Sequence, residues 1–336
     1  MNRLVAISII AILFLGCTNT EETKPQATGK VRATDDIAII KVAADKGDPE
    51  AQWLYSIELR QGLRIPINRK EAFVFREKAA NAGNVFAKAG LASQLSIGDG
   101  CLPDPERASQ LLNAAVPALE KLAANGNTEA MEMLGTILSG VMKDFSFPKD
   151  EPRALKYLLD AAEKGNHKAK LVLAYVYVGK KDRQPSDIDK ALVYAQSAFD
   201  AGEPRAADLL GKIFLFDKKD NESARSWWVR GWEKGCVDCG YALAQYFFGR
   251  KDLVTAADWL TKTAEKGLPI AQAALGEEYL QLTSSKLFKK KDEVLGLTWL
   301  QKAADQHQPD AMCDLGKINR EGKIVPKNEK KAFDLF

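Results

Sequence analysis

One short string recurs eight times along this chain of 336 residues, and it constrains the fold more than any other feature. Most copies place alanines just before a glycine, a pattern typical of a helix whose C-terminal cap adopts a positive φ. Successive copies are 32 to 43 residues apart, which is the period of a unit of two helices. The series is Gly47, Gly83, Gly126, Gly165, Gly202, Gly235, Gly267 and finally His307. The sequence therefore predicts a row of helical hairpins.

A second pattern follows each of these positions. Four residues later a small residue begins helix A of the next repeat, and we number that residue zero. Position +4 is Leu or Tyr in every copy, and position +8 is apolar in seven of them, which gives one apolar stripe at helical period. Because glycine inside a helix costs about 1 kcal/mol relative to alanine, we expect a second helix to pass close to position +5. That position is always small: Ser56, Ala92, Gly135, Ala174, Gly211, Ala244, Gly276 and Gly316.

Each hairpin can cover its apolar faces only by stacking on the next hairpin, so the fold class is all-α and the architecture an α-solenoid. The motifs resemble Sel1-like repeats, relatives of tetratricopeptide repeats: residues 271–279 read Ala-x3-Leu-Gly-x2-Tyr and residues 299–304 read Trp-x3-Ala-Ala. The resemblance covers residues 35–336 and implies a right-handed superhelix of about eight hairpins, with a lone helix B over residues 35–46. Copies two, five and six depart most from the motif. In copy two we expect interruptions at Pro103, Pro105 and Pro117.

Charge and histidine content exclude several function classes. The 48 Lys and Arg nearly balance the 45 Asp and Glu, and a net charge of +3 is too weak to bind nucleic acid without a local patch. Only His167 and His307 are present, both expected in solvated turns, which leaves little for a zinc site or a His-activated nucleophile. We predict no nucleic-acid partner, no metal and no cofactor.

The resemblance also raises the question of catalysis, because cysteine-rich Sel1-like proteins have been associated with penicillin binding or β-lactam hydrolysis. Ser146 and Lys149 match Ser-x-x-Lys, but Pro148 lies between them in a predicted loop, and neither Ser-Asp-Asn nor Lys-Thr-Gly follows. We therefore predict that the chain is not an enzyme and has no small-molecule substrate.

The N-terminal segment predicts export. Residues 1–16 combine a basic start with a short apolar run, as in a signal peptide. Residues 14–17, Phe-Leu-Gly-Cys, resemble a bacterial lipobox, which implies lipid attachment at Cys17; an ordinary cleaved signal or an uncleaved anchor is the alternative. Thr18 after the cysteine favours the outer membrane. Polar residues 17–34 are expected to form a flexible tether, and the working compartment is then the periplasm, with the lipid holding the chain to the membrane.

Four further cysteines allow three pairings: Cys101, Cys236, Cys239 and Cys313. Cys236 and Cys239 form a Cys-x-x-Cys on a predicted turn between helices, without the preceding strand of a thioredoxin-like site. We expect either a small disulfide or two packed thiols. Residues 286–291, Lys-Leu-Phe-Lys-Lys-Lys, form a basic run, for which a solvated loop is the default and contact with anionic lipid or an acidic partner the alternative.

In a tetratricopeptide-like superhelix, helix A lines the inner wall, and positions −1, +2, +6 and +9 should face the groove. Most of these positions are polar, and the aromatic or apolar ones are candidate anchors for a partner. The alternative is that the helices are rotated and the rings belong to the core. The predicted groove residues are Trp53, Ile57, Glu132, Leu171, Tyr175, Arg205, Asp208, Lys212, Tyr241, Phe248 and Glu277.

A solenoid without chemistry acts through its surface, so the expected partner is another protein. The combination of signal, lipobox, polar tether and divergent repeats resembles Sel1-repeat lipoproteins that act as immunity partners of type VI secretion phospholipase effectors. That resemblance implies a secreted lipase toxin as the partner. A general envelope scaffold or virulence adaptor is the alternative, and a β-lactam-active enzyme is disfavoured by the missing motifs.

Overall fold

The computed structural model describes residues 31–140, 147–283, 287–288 and 290–335. In this part of the chain every regular element is a helix, and the helices pair in sequence order into eight hairpins preceded by one extra helix. The helices are α1 (Ile37–Asp45), α2 (Pro49–Gln61), α3 (Arg69–Asn81), α4 (Val85–Ile97), α5 (Pro105–Ala124), α6 (Thr128–Ser139), α7 (Glu151–Glu163), α8 (His167–Val178), α9 (Pro185–Asp200), α10 (Ala206–Phe216), α11 (Asn221–Glu233), α12 (Val237–Gly249), α13 (Leu253–Glu265), α14 (Pro269–Leu280), α15 (Glu293–Ala304), α16 (Pro309–Glu321) and α17 (Glu329–Leu335).

The even-numbered helices α2 to α16 are the predicted A helices, and the odd-numbered helices α3 to α17 are the B helices. Each packs against its partner and against the next hairpin, so the predicted all-α solenoid is confirmed. The described helices include none long and apolar enough to span a bilayer.

The turns between hairpins explain the glycine series. All seven glycines adopt φ between 85° and 97°, where a side chain would be strained, and His307 takes the eighth place with a φ of 59°. In four A helices, the Asp or Asn directly after the glycine caps the helix. Its side-chain oxygen accepts a hydrogen bond from the backbone N–H three residues later, as Asp48 does from Ala51 at 2.8 Å. Local chemistry thus sets both the end of one helix and the start of the next.

Position +5 is buried along the whole stack, as the small residues predict. A Cβ added to Gly276 would lie 2.9 Å from the backbone oxygen of Gly296, so the close backbone approach holds in the seventh hairpin. At Gly135 and Gly211 the space is instead filled mainly by side chains of the paired helix B, Leu158 and Trp228. Small residues therefore serve two packing solutions within one column.

Two expectations about the early part of the chain need correction. Pro117 does not interrupt the second copy, because α5 is one helix of 20 residues. Pro117 is exposed, so water can satisfy the carbonyl that its missing N–H leaves unpaired. The predicted tether also reaches too far: Val31 is buried with Ile40 and Tyr55, and Arg64 donates to the carbonyl of Ala33. Residues 31–34 belong to the folded part.

The first hairpin meets the far end of the solenoid. The backbone N–H of Ile67, in the loop between α2 and α3, donates to the carbonyl of Lys266 at 2.9 Å. The N–H of Arg69 donates to the side-chain oxygen of Gln306 at 2.9 Å, across 237 positions of sequence. Ile67 is buried with Val237 and Leu268. The stack thus completes about one superhelical turn and contacts itself.

Candidate protein-binding groove

The A helices form the inner wall of the stack. Consecutive A helices contact one another directly, as α6 does with α8 and α10 with α12. Such contacts belong to the side of smaller radius, because layers on the inside of a curved stack lie closer together. The residues predicted for the groove are carried by this wall, and the structure gathers most of them into two neighbouring regions.

The first region, the polar segment, lies on α6, α8 and α10 and comprises Glu132, Lys168, Tyr175, Arg205 and Asp208. Arg205 donates from Nε and a terminal nitrogen to both carboxylate oxygens of Glu203, at 2.8 and 3.1 Å. Lys212 pairs with Asp208 at 2.6 Å, and Thr136 donates to the Glu132 carboxylate at 2.9 Å. The charged groups of this segment are therefore largely satisfied within the chain.

Burial sets the ionisation of the polar segment. It raises the pKa of Glu132 and of Asp208, against the opposing effect of Lys168 and Lys212. Burial also raises the pKa of the Tyr175 hydroxyl. Arg205 behaves in the opposite way, since burial would lower its pKa but Glu203 raises it above the ordinary value. These directions describe a network built for internal pairing.

The second region, the C-terminal pocket, is an open cavity of about 360 Å³ between α12, α13 and α14. It brings together three residues that the sequence predicted for the groove, namely Tyr241, Phe248 and Glu277. Tyr241 is half-buried, and Phe248 is 43% exposed. The remaining lining is Ala244, Gln245, Gly249, Ala256, Leu260, Ala274, Glu278 and Leu287.

Glu277 is the chemically distinctive group of the C-terminal pocket. Burial raises its pKa to about 7, and the nearby carboxylates of Asp314 and Asp310 add to the shift. No salt bridge or hydrogen bond of its carboxylate occurs with any described residue. Tyr241 feels the same environment, since burial raises the pKa of its hydroxyl and Glu277 contributes. The pocket thus combines exposed aromatic surface with a carboxylate that forms no salt bridge to a described residue.

At the N-terminal end, Trp53 and Ile57 are half-buried, and Trp53 has a structural role. Its ring stacks on the Arg76 guanidinium with 5.0 Å to the centroid, over Gly90 of the next A helix, where a Cβ would come within 2.8 Å of the ring. Arg76 is buried and donates to Ser56 Oγ at 3.2 Å, and burial lowers its pKa to about 9. Sequence reasoning missed Arg76, because a buried arginine on helix B has no local signature.

Two predicted groove residues are wrong as exposed anchors. Leu171 is only 4% exposed and packs in the central core with Ala174 and Leu210. Asp208 is 8% exposed, and its carboxylate pairs with Lys212. Both residues occupy position +2. Where consecutive A helices pack closely, the side chain at this position points toward the neighbouring helix rather than into the groove. The alternative of rotated helices thus applies to this column in the middle of the stack.

The repeats of this chain match a known family. A model described as Sel1 repeat matches residues 49–84, 128–166, 168–203, 239–268, 269–307 and 309–336, which is more than half of the chain. The chain belongs to the Sel1 repeat family. Copies two and five fall outside the matched segments, as their divergence predicted, whereas copy six is matched.

Relatives with Sel1 repeats are larger proteins. Protein sel-1 homolog 2 of Homo sapiens is 26% identical over 226 residues, covering 62% of this chain and 30% of that protein. DAP3-binding cell death enhancer 1 of Mus musculus is 30% identical over 215 residues, covering 64% and 38%. The chain therefore spans well under half the length of these relatives.

The chain is also similar to solved structures. A Sel1 repeat protein of Oxalobacter formigenes has 24% identity and a TM-score of 0.49, covering 88% of this chain and 84% of that one. Immunity protein Pa5087 of Pseudomonas aeruginosa has 16% identity and a TM-score of 0.44, covering 78% and 82%.

The cysteines of this Sel1-repeat chain have structural settings. Cys236 and Cys239 form a disulfide with 5.4 Å between Cα atoms, and Cys236 Sγ also accepts the N–H of Cys239 at the start of α12. Cys101 is a buried free thiol whose pKa burial raises to about 12, and Cys313 is also free. Within the described ranges no three His, Cys, Asp or Glu residues cluster as metal ligands.

Two sequence-predicted features lie partly or wholly outside the described residues. Ser146 of the Ser-x-x-Lys match is one, and the N-terminal segment with Cys17 is the other. Of the basic run, Leu287 lines the C-terminal pocket, and Lys291 pairs with Glu293 at 2.7 Å.

Proposed function

We propose that the inner face of this solenoid holds a protein partner and that the C-terminal pocket is its main anchoring point. The observation that carries the proposal is the pocket itself, where Tyr241 and Phe248 present aromatic surface beside Glu277, whose carboxylate pairs with no described residue. Interfaces draw most of their binding energy from a few such aromatic residues seated in pockets.

The polar segment supports the same face in a different way. Its charges are mostly paired inside the chain, so it contributes less binding energy than the pocket, but it can orient a partner and reject one of the wrong charge pattern. A partner that spans both regions would be anchored at one end and aligned along the rest of the groove.

We further propose that the chain is a lipid-anchored periplasmic immunity protein that neutralises a type VI secretion phospholipase. The support is the lipobox-like segment ending in Cys17 and the polar tether, joined to a repeat domain with an inner groove. An anchor to the outer membrane would keep the groove beside the lipids that such a toxin attacks. Binding there would block either the active site of the toxin or its access to lipid.

A growth assay tests both levels of the proposal. A phospholipase encoded beside this chain would be exported to the periplasm of three sets of cells. One set produces the unaltered full chain, the second its Phe248→Ser variant and the third its Val254→Ser variant. Val254 lies on the B-helix layer and is 84% exposed, so it is a matched surface control. We expect protection by the full chain and by Val254→Ser, and loss of protection with Phe248→Ser.

Killing in the presence of the full chain would contradict the immunity proposal. A mixed set of envelope proteins that all bind through the groove, without protection from the toxin, would favour the scaffold alternative instead. Partner binding that no inner-face substitution weakens would contradict the groove proposal as a whole.

A further inference from the structure

We infer that the C-terminal pocket is built for a basic apolar segment of a partner protein: one apolar side chain enters the cavity, and a neighbouring lysine or arginine meets Glu277. This inference rests on the proposed function, because it names the chemistry of the partner at the groove. It commits to a cationic peptide segment rather than to a lipid or a small molecule.

The shape of the pocket provides the apolar half of the argument. Phe248 and Tyr241 of α12 form one side, Leu260 of α13 lies at the base, and Leu287 contributes from the loop after α14. A cavity of about 360 Å³ is near the lower end of ligand pockets, which suits one or two side chains better than a larger ligand. The exposed Phe248 ring gains most from being covered.

The charge around the pocket provides the other half. Four carboxylates lie on this side of the stack, on Glu277, Glu278, Asp310 and Asp314. Asp314 is paired with Lys317 at 3.1 Å, and Glu278 accepts hydrogen bonds from Thr283 at 2.7 Å and from the N–H of Leu287 at 3.1 Å. Asp310 accepts a hydrogen bond from Gln308 at 3.4 Å. Glu277 is then the one of these four carboxylates with neither a salt bridge nor a hydrogen bond to a described residue, and it lines the cavity itself.

An incoming cation would complete this arrangement. A half-buried carboxylate without a counter-ion is unfavourable, and a Lys or Arg placed beside it relieves both the burial and the repulsion from its acidic neighbours. An acidic segment would add a further negative charge to the same place. A purely apolar segment would cover Glu277 and bury it further without pairing it. Charge complementarity therefore selects a basic partner.

Protonation gives the inference a distinctive signature. Glu277 faces Tyr241 on α12, Asp310, Asp314 and Lys317 on α16, and Glu278 on its own helix, and its pKa is raised to about 7. In the free protein it is mostly neutral below that pH and charged above it. A cation binds the charged form, so affinity should rise with pH through this range and level off above it.

Panning a phage-displayed library of random peptides on the detergent-solubilised full chain tests the inference. Enriched peptides would be synthesised with a fluorophore, and their affinities measured by anisotropy at about pH 5.5 and about pH 8. The variants are Glu277→Gln, Phe248→Ser, Lys212→Glu in the polar segment, and the control Val254→Ser. Circular dichroism checks that each variant keeps its helices.

We expect enriched peptides to carry Lys or Arg beside a large apolar residue. Their affinity for the unaltered chain should fall about tenfold from pH 8 to pH 5.5. Glu277→Gln should weaken binding about tenfold at pH 8 and less than about twofold at pH 5.5, because the glutamate is then already neutral. Phe248→Ser should weaken binding at both pH values, and Val254→Ser at neither.

Three results would overturn the inference: no enriched peptide, enriched peptides without basic residues, or affinities that Glu277→Gln leaves unchanged at pH 8. Peptides that lose binding with Lys212→Glu but not with Glu277→Gln would also overturn it, while leaving the proposed groove intact. A different result would contradict the groove proposal itself: Phe248→Ser would then reduce neither protection from the toxin nor binding of the partner.

Discussion

The polar segment and the C-terminal pocket occupy equivalent positions on successive A helices, yet they differ in how their charges are satisfied. In the polar segment Glu203 pairs with Arg205, and Asp208 pairs with Lys212. In the pocket the carboxylate of Glu277 has no such partner among the described residues, and Phe248 stays exposed. One repeat register thus produces both a surface whose charges are paired within the chain and a pocket that leaves Glu277 without such a partner among the described residues, and this pocket is the proposed partner site.

The largest expected effect concerns the close packing that holds the pocket wall in place. Gly276→Ala adds a methyl group 2.8 Å from the Leu300 side chain and 2.9 Å from the carbonyl oxygen of Gly296, so we expect about 2 to 3 kcal/mol lower stability. Gly249→Ala is the matched control, since its new methyl group meets nothing within 4 Å. Chemical denaturation of both variants measures the difference, and equal stabilities would contradict the packing account.

The next effect separates the two regions by binding energy. Phe248→Ser should weaken the partner complex by about 2 kcal/mol, because an exposed aromatic anchor is lost without damage to the core. Lys212→Gln, in the polar segment, should cost less. Isothermal titration with the phospholipase encoded beside this chain compares the two variants. A larger loss of affinity from Lys212→Gln would reverse the roles assigned to the two regions.

Two glutamates, Glu277 of the pocket and Glu203 beside the polar segment, should respond to pH with opposite signs. Glu277 has an unfolded pKa near 4.5 and a folded pKa near 7, so it lowers stability as pH rises through that interval, by about 1 kcal/mol after allowance for its partial exposure. Glu277→Gln should therefore stabilise the chain at pH 8 and have no effect at pH 4. Thermal melts across this range test the sign.

Glu203 provides the opposite case. Burial opposes its ionisation, but Arg205 lowers its pKa below the ordinary value. Its contribution is present above pH 4.5 and is lost as pH falls below it. Glu203→Gln should therefore destabilise the chain at neutral pH and have little effect in acid. The same sign for both glutamates would contradict the distinction between the regions.

The smallest effect concerns association kinetics. Lys212 is exposed, so its charge acts on partner encounter more than on the final complex. Lys212→Gln should change the association rate about twofold at low salt and leave the dissociation rate nearly unchanged. Stopped-flow measurements at two salt concentrations are sufficient, and a salt-independent change in dissociation would assign Lys212 to the anchoring contact.

Local sequence chemistry determined the repeat architecture. A glycine such as Gly83 or Gly165 ends each helix because its φ is positive, and Asn84 or Asn166 then starts the next helix by capping it. The column at Gly276 requires small residues because a second helix passes there. These constraints act within one or two hairpins. The spacing of residues along the chain is therefore enough to predict them.

Tertiary structure alone decided what depends on the path of the whole stack. The burial of Leu171, the joining of Leu287 to the C-terminal pocket, and the contact of Ile67 with the turn at Lys266 all follow from how far each hairpin rotates against the last. The rotation between two hairpins is set by the side-chain packing at their interface. Small differences in that rotation add up along the row of hairpins. No local pattern encodes the sum, which is why the sequence could identify the groove helices but not select the residues that remain open in it.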